Sequence, residues 1–172
     1  MGTRNLTKVI DAEGITRVAQ YGQWDGYPEY TGTRILDFIK EHKMLETIEK
    51  SLVKARFLTE DELKEISKQY TDEDGLMTME QAEEYSLNYP SLTRDTGCDI
   101  LKVLVYSGGS IPLYDDSEFE NDDLFCEGVY TLNYQTREFI TKYNGITVSL
   151  SFDGFDTAEN YLNAFKKELT NA

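Results

Sequence analysis

"CEGVYTLNYQTREFITKYNGITVSLSFDG", residues 126–154, decides the fold. Runs rich in β-branched and aromatic residues are broken at Gln135-Thr136 and again at Gly145, which reads as a three-stranded meander. Tyr130, Leu132 and Tyr134 fall on one face of the first strand, and Ile146, Val148, Leu150 and Phe152 share a face in the last. At the other end of the chain, "RNLTKVIDAEGITRVAQYG" (residues 4–22) reads as a β-hairpin around Ala12-Glu13-Gly14. Its second strand puts Ile15, Arg17, Ala19 and Tyr21 on one face and Thr16, Val18 and Gln20 on the other. That mixed pattern suits a strand covered in part on both sides.

Between these strand regions the sequence is helical, over about residues 33–107. "TRILDFIKEH" (33–42) carries an apolar stripe of Ile35, Leu36, Phe38 and Ile39, and "MLETIEKSLVKARF" (44–57) repeats Leu45, Ile48, Leu52 and Val53 at helical spacing. "LTEDELKEISKQY" (58–70) opens with a capping box, Thr59 and Glu62. "MTMEQAEEYSLNY" (77–89) and "SLTRDTGCDILKVLVYSGG" (91–109) predict two further helices, the second stopped by Gly108-Gly109. The polar, acidic run from about Ser110 to Leu124 predicts a mobile surface loop. Thr157 caps a closing helix, "AENYLNAFKKEL", with Tyr161, Leu162, Phe165 and Leu169 inward. Strands at both ends and helices between them predict a single α+β domain over residues 1–172. Its antiparallel sheet, built from the N-terminal hairpin and the C-terminal meander, carries helices packed on it.

Composition narrows the function classes. The 172 residues include 40% hydrophobic side chains, enough for a core, and 17 basic against 32 acidic side chains leave a formal charge of −15. Such a surface repels nucleic acid and anionic membrane, and offers a basic host protein something to bind. Only Cys98, Cys126 and His42 represent their residue types, without a CxxC pair, so neither a disulfide scaffold nor a zinc site is expected. No long apolar run marks a signal peptide or a membrane span, and the expectation is a cytoplasmic protein.

Motifs for familiar chemistry are missing. GxxxxGK[ST], GxGxxG and HExxH do not occur, so no cofactor is expected. "YTDEDGLMTMEQ" (70–81) places Asp72, Asp74, Gly75 and Thr78 as a calcium loop would, but Tyr70 and Gln81 stand where the first and last oxygen ligands belong. His42 has no nucleophile beside it, and both cysteines read as small core fillers.

Three polar clusters remain: Arg4-Asn5 at the first strand, the bend "QYGQWDGYPEYTG" (20–32) after the second, and Arg94-Asp95-Thr96 at a helix start. The bend gathers Tyr21, Gln23, Trp24, Asp25 and Tyr27 between glycines and a proline. Indole and phenol faces suit a ring, and Asp25 suits sugar hydroxyls or base amino groups. The helix start at Arg94, with Arg34 nearby, suits an anion. The expectation is a pocket for a small polar, nucleotide-like ligand, formed by Arg4, Asn5, Tyr21, Gln23, Trp24, Asp25, Tyr27, Arg34, Arg94, Asp95 and Thr96. Two other uses of these residues stand beside it. Arg4 and Arg94 pair with Asp25 and Asp95 in a buried network under a Trp24 lid, or the aspartates act as acid and base in a hydrolase.

"MGTRNLT", "VAQYGQWDGYP", "LTRDTGCDIL" and "YTLNYQTREFITKYNG" together resemble a family of uncharacterised proteins of bacteriophages and prophage-bearing bacteria. The resemblance implies a viral or mobile-element setting, one compact domain and residence in a bacterial cytoplasm. N-terminal-nucleophile hydrolases also begin with a strand hairpin, but they need Cys, Ser or Thr at the first position, where removal of Met1 leaves Gly2 here. The expected function is a non-enzymatic accessory protein, with counter-defence as one role, holding a small ligand. The alternative is an acidic, nucleic-acid-mimicking inhibitor of a host nuclease.

Overall fold

In the computed structural model, which describes residues 2–171, the N-terminal hairpin forms as the sequence predicts. Strands β1 (Asn5–Ile10) and β2 (Thr16–Gly22) pair antiparallel, with Val9 opposite Val18, Thr7 opposite Gln20 and Asn5 opposite Gly22. Asp11 closes the turn, its carboxylate accepting from the amides of Glu13 and Ile15. The meander also forms, as β5 (Gly128–Asn133), β6 (Glu138–Tyr143) and β7 (Ile146–Ser151).

The two units join into one sheet of order β2–β1–β5–β6–β7. The fold is therefore α+β, with one departure from a purely antiparallel sheet: β1 and β5 run parallel, with Val9 opposite Leu132. A parallel neighbour requires a long crossover, and the helical middle of the chain supplies it. That middle contains α1 (Thr33–Ile39), α2 (Met44–Leu52), α3 (Glu60–Tyr70), α4 (Met79–Asn88) and α5 (Ile100–Tyr106). The closing helix is α6 (Ala158–Asn171), and the Thr157 hydroxyl accepts from the Asn160 amide at its start. The expected inward position of Leu169 lies outside the described side chains.

Several predicted boundaries move. Pro28–Gly32, expected as a loop, is a π-type helical turn running directly into α1. The second helix ends at Leu52, and Arg56–Phe57 becomes a short strand, β3, paired in parallel with β4 (Pro112–Leu113). The long helix expected from Ser91 breaks into short 3-10 turns at Pro90–Leu92 and Gly97–Asp99, and only Ile100–Tyr106 is α-helical. The capping box at Thr59 and Glu62 is present.

The core lies between the sheet and α1, α2, α5 and α6. Val9, Val18, Tyr130, Leu132 and Phe139 from the strands meet Ile35, Leu36, Ile48, Ile100, Leu104 and Tyr161 from the helices. Burying each side chain of this size contributes about 1.5–3 kcal/mol. The opposite face of the hairpin is covered as well: Leu6, Ala19 and Val129 pack with Phe119 and Cys126. This corrects the expectation of a mobile acidic loop. Its aromatic ring sits against Tyr21, its backbone bridges to Ala19 through Asp115, and the Asp116 carboxylate accepts from the Tyr21 amide. A run that reads as solvated in composition is fastened to the sheet by Phe119, Asp116, the backbone at Asp115 and the ion pairs of Glu120 with Lys8 and Lys142.

Candidate functional site

A cleft of 240 Å³ opens where the hairpin's polar end meets the Gly97–Asp99 turn and the start of α1. Its floor is made by strand ends without bulk. A Cβ on Gly22 would lie 3.0 Å from the Cα of Gly97 and 2.8 Å from Asn5 Oδ1, so this approach requires glycine at position 22, while Gly97 takes a left-handed φ of 47°. The bend above is fixed from below. Asn5 Nδ2 donates to the carbonyls of Gly22 and Trp24, the Gly26 amide donates to the Thr3 carbonyl, and the Tyr130 hydroxyl donates 2.7 Å to the Gly26 carbonyl. Thr31 adds a hydroxyl bond to the Asp25 carbonyl at 2.7 Å. With its backbone so held, Asp25 adopts a left-handed φ of 51°.

Trp24 is the wall. Its side chain stays 49% exposed while Nε1 donates 2.7 Å to Asp95, which sets the ring plane. Asn5 is only 1% exposed, and its Oδ1 has no hydrogen-bond partner. A buried acceptor left without a donor costs about 1–3 kcal/mol.

The expected site residues divide. Asn5, Gln23, Trp24, Asp25, Arg34, Asp95 and Thr96 all line the cleft, and Tyr30, Thr31, Gly97, Cys98 and Asp99 join them. Arg4 does not. Successive residues of a strand face opposite ways, so Asn5 in the cleft sends Arg4 to the other face, where its guanidinium lies 4.6 Å from the Phe125 ring centre. The same alternation turns Tyr21 away beside Gly22, leaving only its hydroxyl to reach Gln23. Tyr27 bonds weakly to Asp25 at 3.4 Å outside the cleft, and Tyr30 one helical turn later supplies the lining ring instead. Arg94 lines a neighbouring cavity, with Cζ 5.8 Å from the Trp24 ring centre. The expected buried network of Arg4 and Arg94 with Asp25 and Asp95 reduces to one long exposed contact, Arg94 to Asp95 at 3.9 Å.

The anion expectation also changes. Arg94-Asp95-Thr96 lead into the one-turn 3-10 segment Gly97–Asp99 and not directly into an α-helix, and Arg34 is already engaged, paired with Asp99 and donating 2.9 Å to the Tyr30 hydroxyl. Three carboxylates, Asp25, Asp95 and Asp99, line the cleft against that single guanidinium. Such a surface accepts hydrogen bonds and repels phosphate. Cys98 is the thiol of the site, and burial and the Asp99 carboxylate push its pKa up, which keeps it protonated and a poor nucleophile.

Elsewhere, a 680 Å³ groove along α6, lined by Asp156, Asn160 and Lys167 among others, has no aromatic wall. The calcium-like loop uses its Asp72 carboxylate on its own amides at Asp74 and Leu76. No cluster of metal-ligating side chains occurs among the described residues, and no helix among them is long and apolar enough to cross a membrane. Compared with protein-family models, curated proteins and solved structures, the chain matches none of them.

Proposed function

We propose that the chain is a non-enzymatic ligand-binding protein, an accessory factor of a bacteriophage or mobile element acting in the host cytoplasm. Its Trp24 cleft receives a small, ring-bearing molecule rich in hydrogen-bond donors, of nucleobase or nucleoside type. The observation that carries this reading is the half-exposed Trp24 indole, held by its Nε1 bond to Asp95 over a cleft lined by Asp25, Asp95 and Asp99. The ring stacks on Trp24, and its amino or hydroxyl groups donate to the Asp25 and Asp95 carboxylates. The volume of 240 Å³ lies below the about 300–1,000 Å³ typical of drug-sized pockets, which favours one base or nucleoside over an oligonucleotide. The protonated thiol and the engaged Arg34 favour binding over turnover. The viral setting rests on the resemblance of the N-terminal and Trp24 motifs.

Calorimetry against bases, nucleosides and mono-, di- and cyclic nucleotides tests the assignment. Nucleosides are expected to bind, added phosphate to bring no gain, and Trp24→Ala to abolish the heat. No binding across the panel, or binding unchanged in Trp24→Ala, removes the reading.

The fastened acidic segment favours a second reading, an inhibitor that presents fixed carboxylates to a basic nucleic-acid-binding host protein. Glu120 bridges Lys8 and Lys142, while Asp115, Glu118 and Asp123 stay exposed on a segment held to the sheet. This partner's affinity would fall steeply with salt and survive Trp24→Ala.

A further inference from the structure

A second cavity, of 410 Å³, adjoins the first through the Tyr21–Gln23 hydrogen bond and is formed by residues that the nucleoside reading does not use. Its walls are the rings of Tyr21, Tyr85 and Tyr114 and the aliphatic side chains of Leu63 and Leu92, with the Asp116 carboxylate among them. Two of the rings are set in place by other rings. Phe119 meets Tyr21 edge-on at 4.9 Å, and Tyr70 meets Tyr85 edge-on at 5.3 Å. Asp116 is equally fixed: its amide donates 3.0 Å to the Ala19 carbonyl, and its carboxylate accepts from the Tyr21 amide at 3.0 Å.

That carboxylate has no counter-charge. Among the described residues, no lysine or arginine forms an ion pair with it. Arg94, the cation on the cavity wall, has its Nε 3.9 Å from Asp95 and its Cζ 5.8 Å from the Trp24 ring centre, and its charge and that of Arg4 act on the Tyr21 phenol. The other charged neighbour is Asp115, which adds repulsion. A carboxylate held in place without a cation, facing aromatic rings already positioned, is the arrangement that recognises an organic ammonium ion.

We propose that this cavity binds a small alkylammonium cation, its charge toward Asp116 and its alkyl groups against Tyr21, Tyr85 and Tyr114. Burial pushes the Asp116 carboxyl up to about 6, with Asp115 adding to the rise. Binding therefore weakens as pH falls through that value. Tyr21 and Tyr85, whose phenols burial raises further, stay neutral over the same range.

Tetramethylammonium is the probe, because its charge does not change with pH. At constant ionic strength, calorimetric titration of the full chain is expected to saturate at pH 7.5 and to weaken below pH of about 6. Asp116→Asn keeps an oxygen for the Tyr21 amide, and is expected to lower affinity about tenfold or more, as is Tyr85→Ala. Asp123→Asn, which removes the same charge from an exposed position, leaves affinity unchanged and so controls for the general acidity of the chain. Absence of saturable binding by the parent, or equal affinity in Asp116→Asn, overturns the proposal.

Discussion

The two ends of one hairpin present opposite environments on the same face. At one end Val9 and Val18 face each other, 0% and 1% exposed, with Leu132 beside them in β5. At the other end, the same face of the same ladder carries Asn5 opposite Gly22 and becomes a cleft floor. Between them, Thr7 faces Gln20, both buried, and each keeps an oxygen without a partner. Identical backbone hydrogen bonding thus supports a dry core and an open polar site. The side chains on three alternate rungs, which share one face, decide which is built. Helices α1 and α5 cover the apolar rung, whereas at the glycine rung the backbone of Gly97 closes in and leaves a cavity.

The largest break in this comparison comes at the apolar end. Leu132→Ala removes a fully buried side chain and is expected to cost about 2–5 kcal/mol in urea unfolding, while nucleoside affinity of the folded protein stays unchanged. A smaller loss is expected at the polar end. Gly22→Ala places a methyl 2.8 Å from Asn5 Oδ1 and 3.0 Å from Gly97 Cα, which forces the backbones apart at about 1–3 kcal/mol. Here binding is lost together with stability. If both variants lose affinity equally, the two ends are not independent.

The smallest effect belongs to Asp116, behind the polar end. Its folded pKa of about 6 lies above the ordinary carboxylate value, so its contribution to stability is present at low pH and lost as pH rises through about 6. Thermal midpoints of Asp116→Asn and the parent are expected to coincide near pH 4, with the variant higher at pH 7.5. A variant lower at pH 7.5 would show that the bond from the Tyr21 amide outweighs the cost of the unpaired charge.

Local periodicity made the fold's parts legible. Alternation and glycine turns fixed the hairpin and the meander, and stripes such as Ile35, Leu36, Phe38 and Ile39 marked α1. The parallel pairing of β1 with β5 was not legible, because it joins strands more than a hundred residues apart and leaves no local pattern. The acidic segment misled for a related reason. Its average composition is solvated, and its placement depends on a few side chains, Phe119, Asp116 and Glu120, together with the backbone bridge at Asp115.

At the site, Trp24 and Asp25 were visible because a half-polar aromatic bend between glycines has no reason to exist in a core. Arg4 and Tyr21 were misplaced by treating adjacent strand residues as one cluster, although alternation already assigns Arg4 and Asn5 to opposite faces. Tyr30, Cys98 and Asp99 were missed because they enter through a π-type turn and a 3-10 turn that periodicity read as loop and helix.

Trp24 is the single tryptophan of the chain, which makes the central claim directly measurable. Its emission can be followed while adenosine, cytidine and guanosine are titrated, each carrying an amino group and ribose hydroxyls. The account predicts a saturable change for at least one of them, as a base stacks on the indole above Asn5. Emission that stays flat for all three, beyond dilution and absorbance, contradicts it.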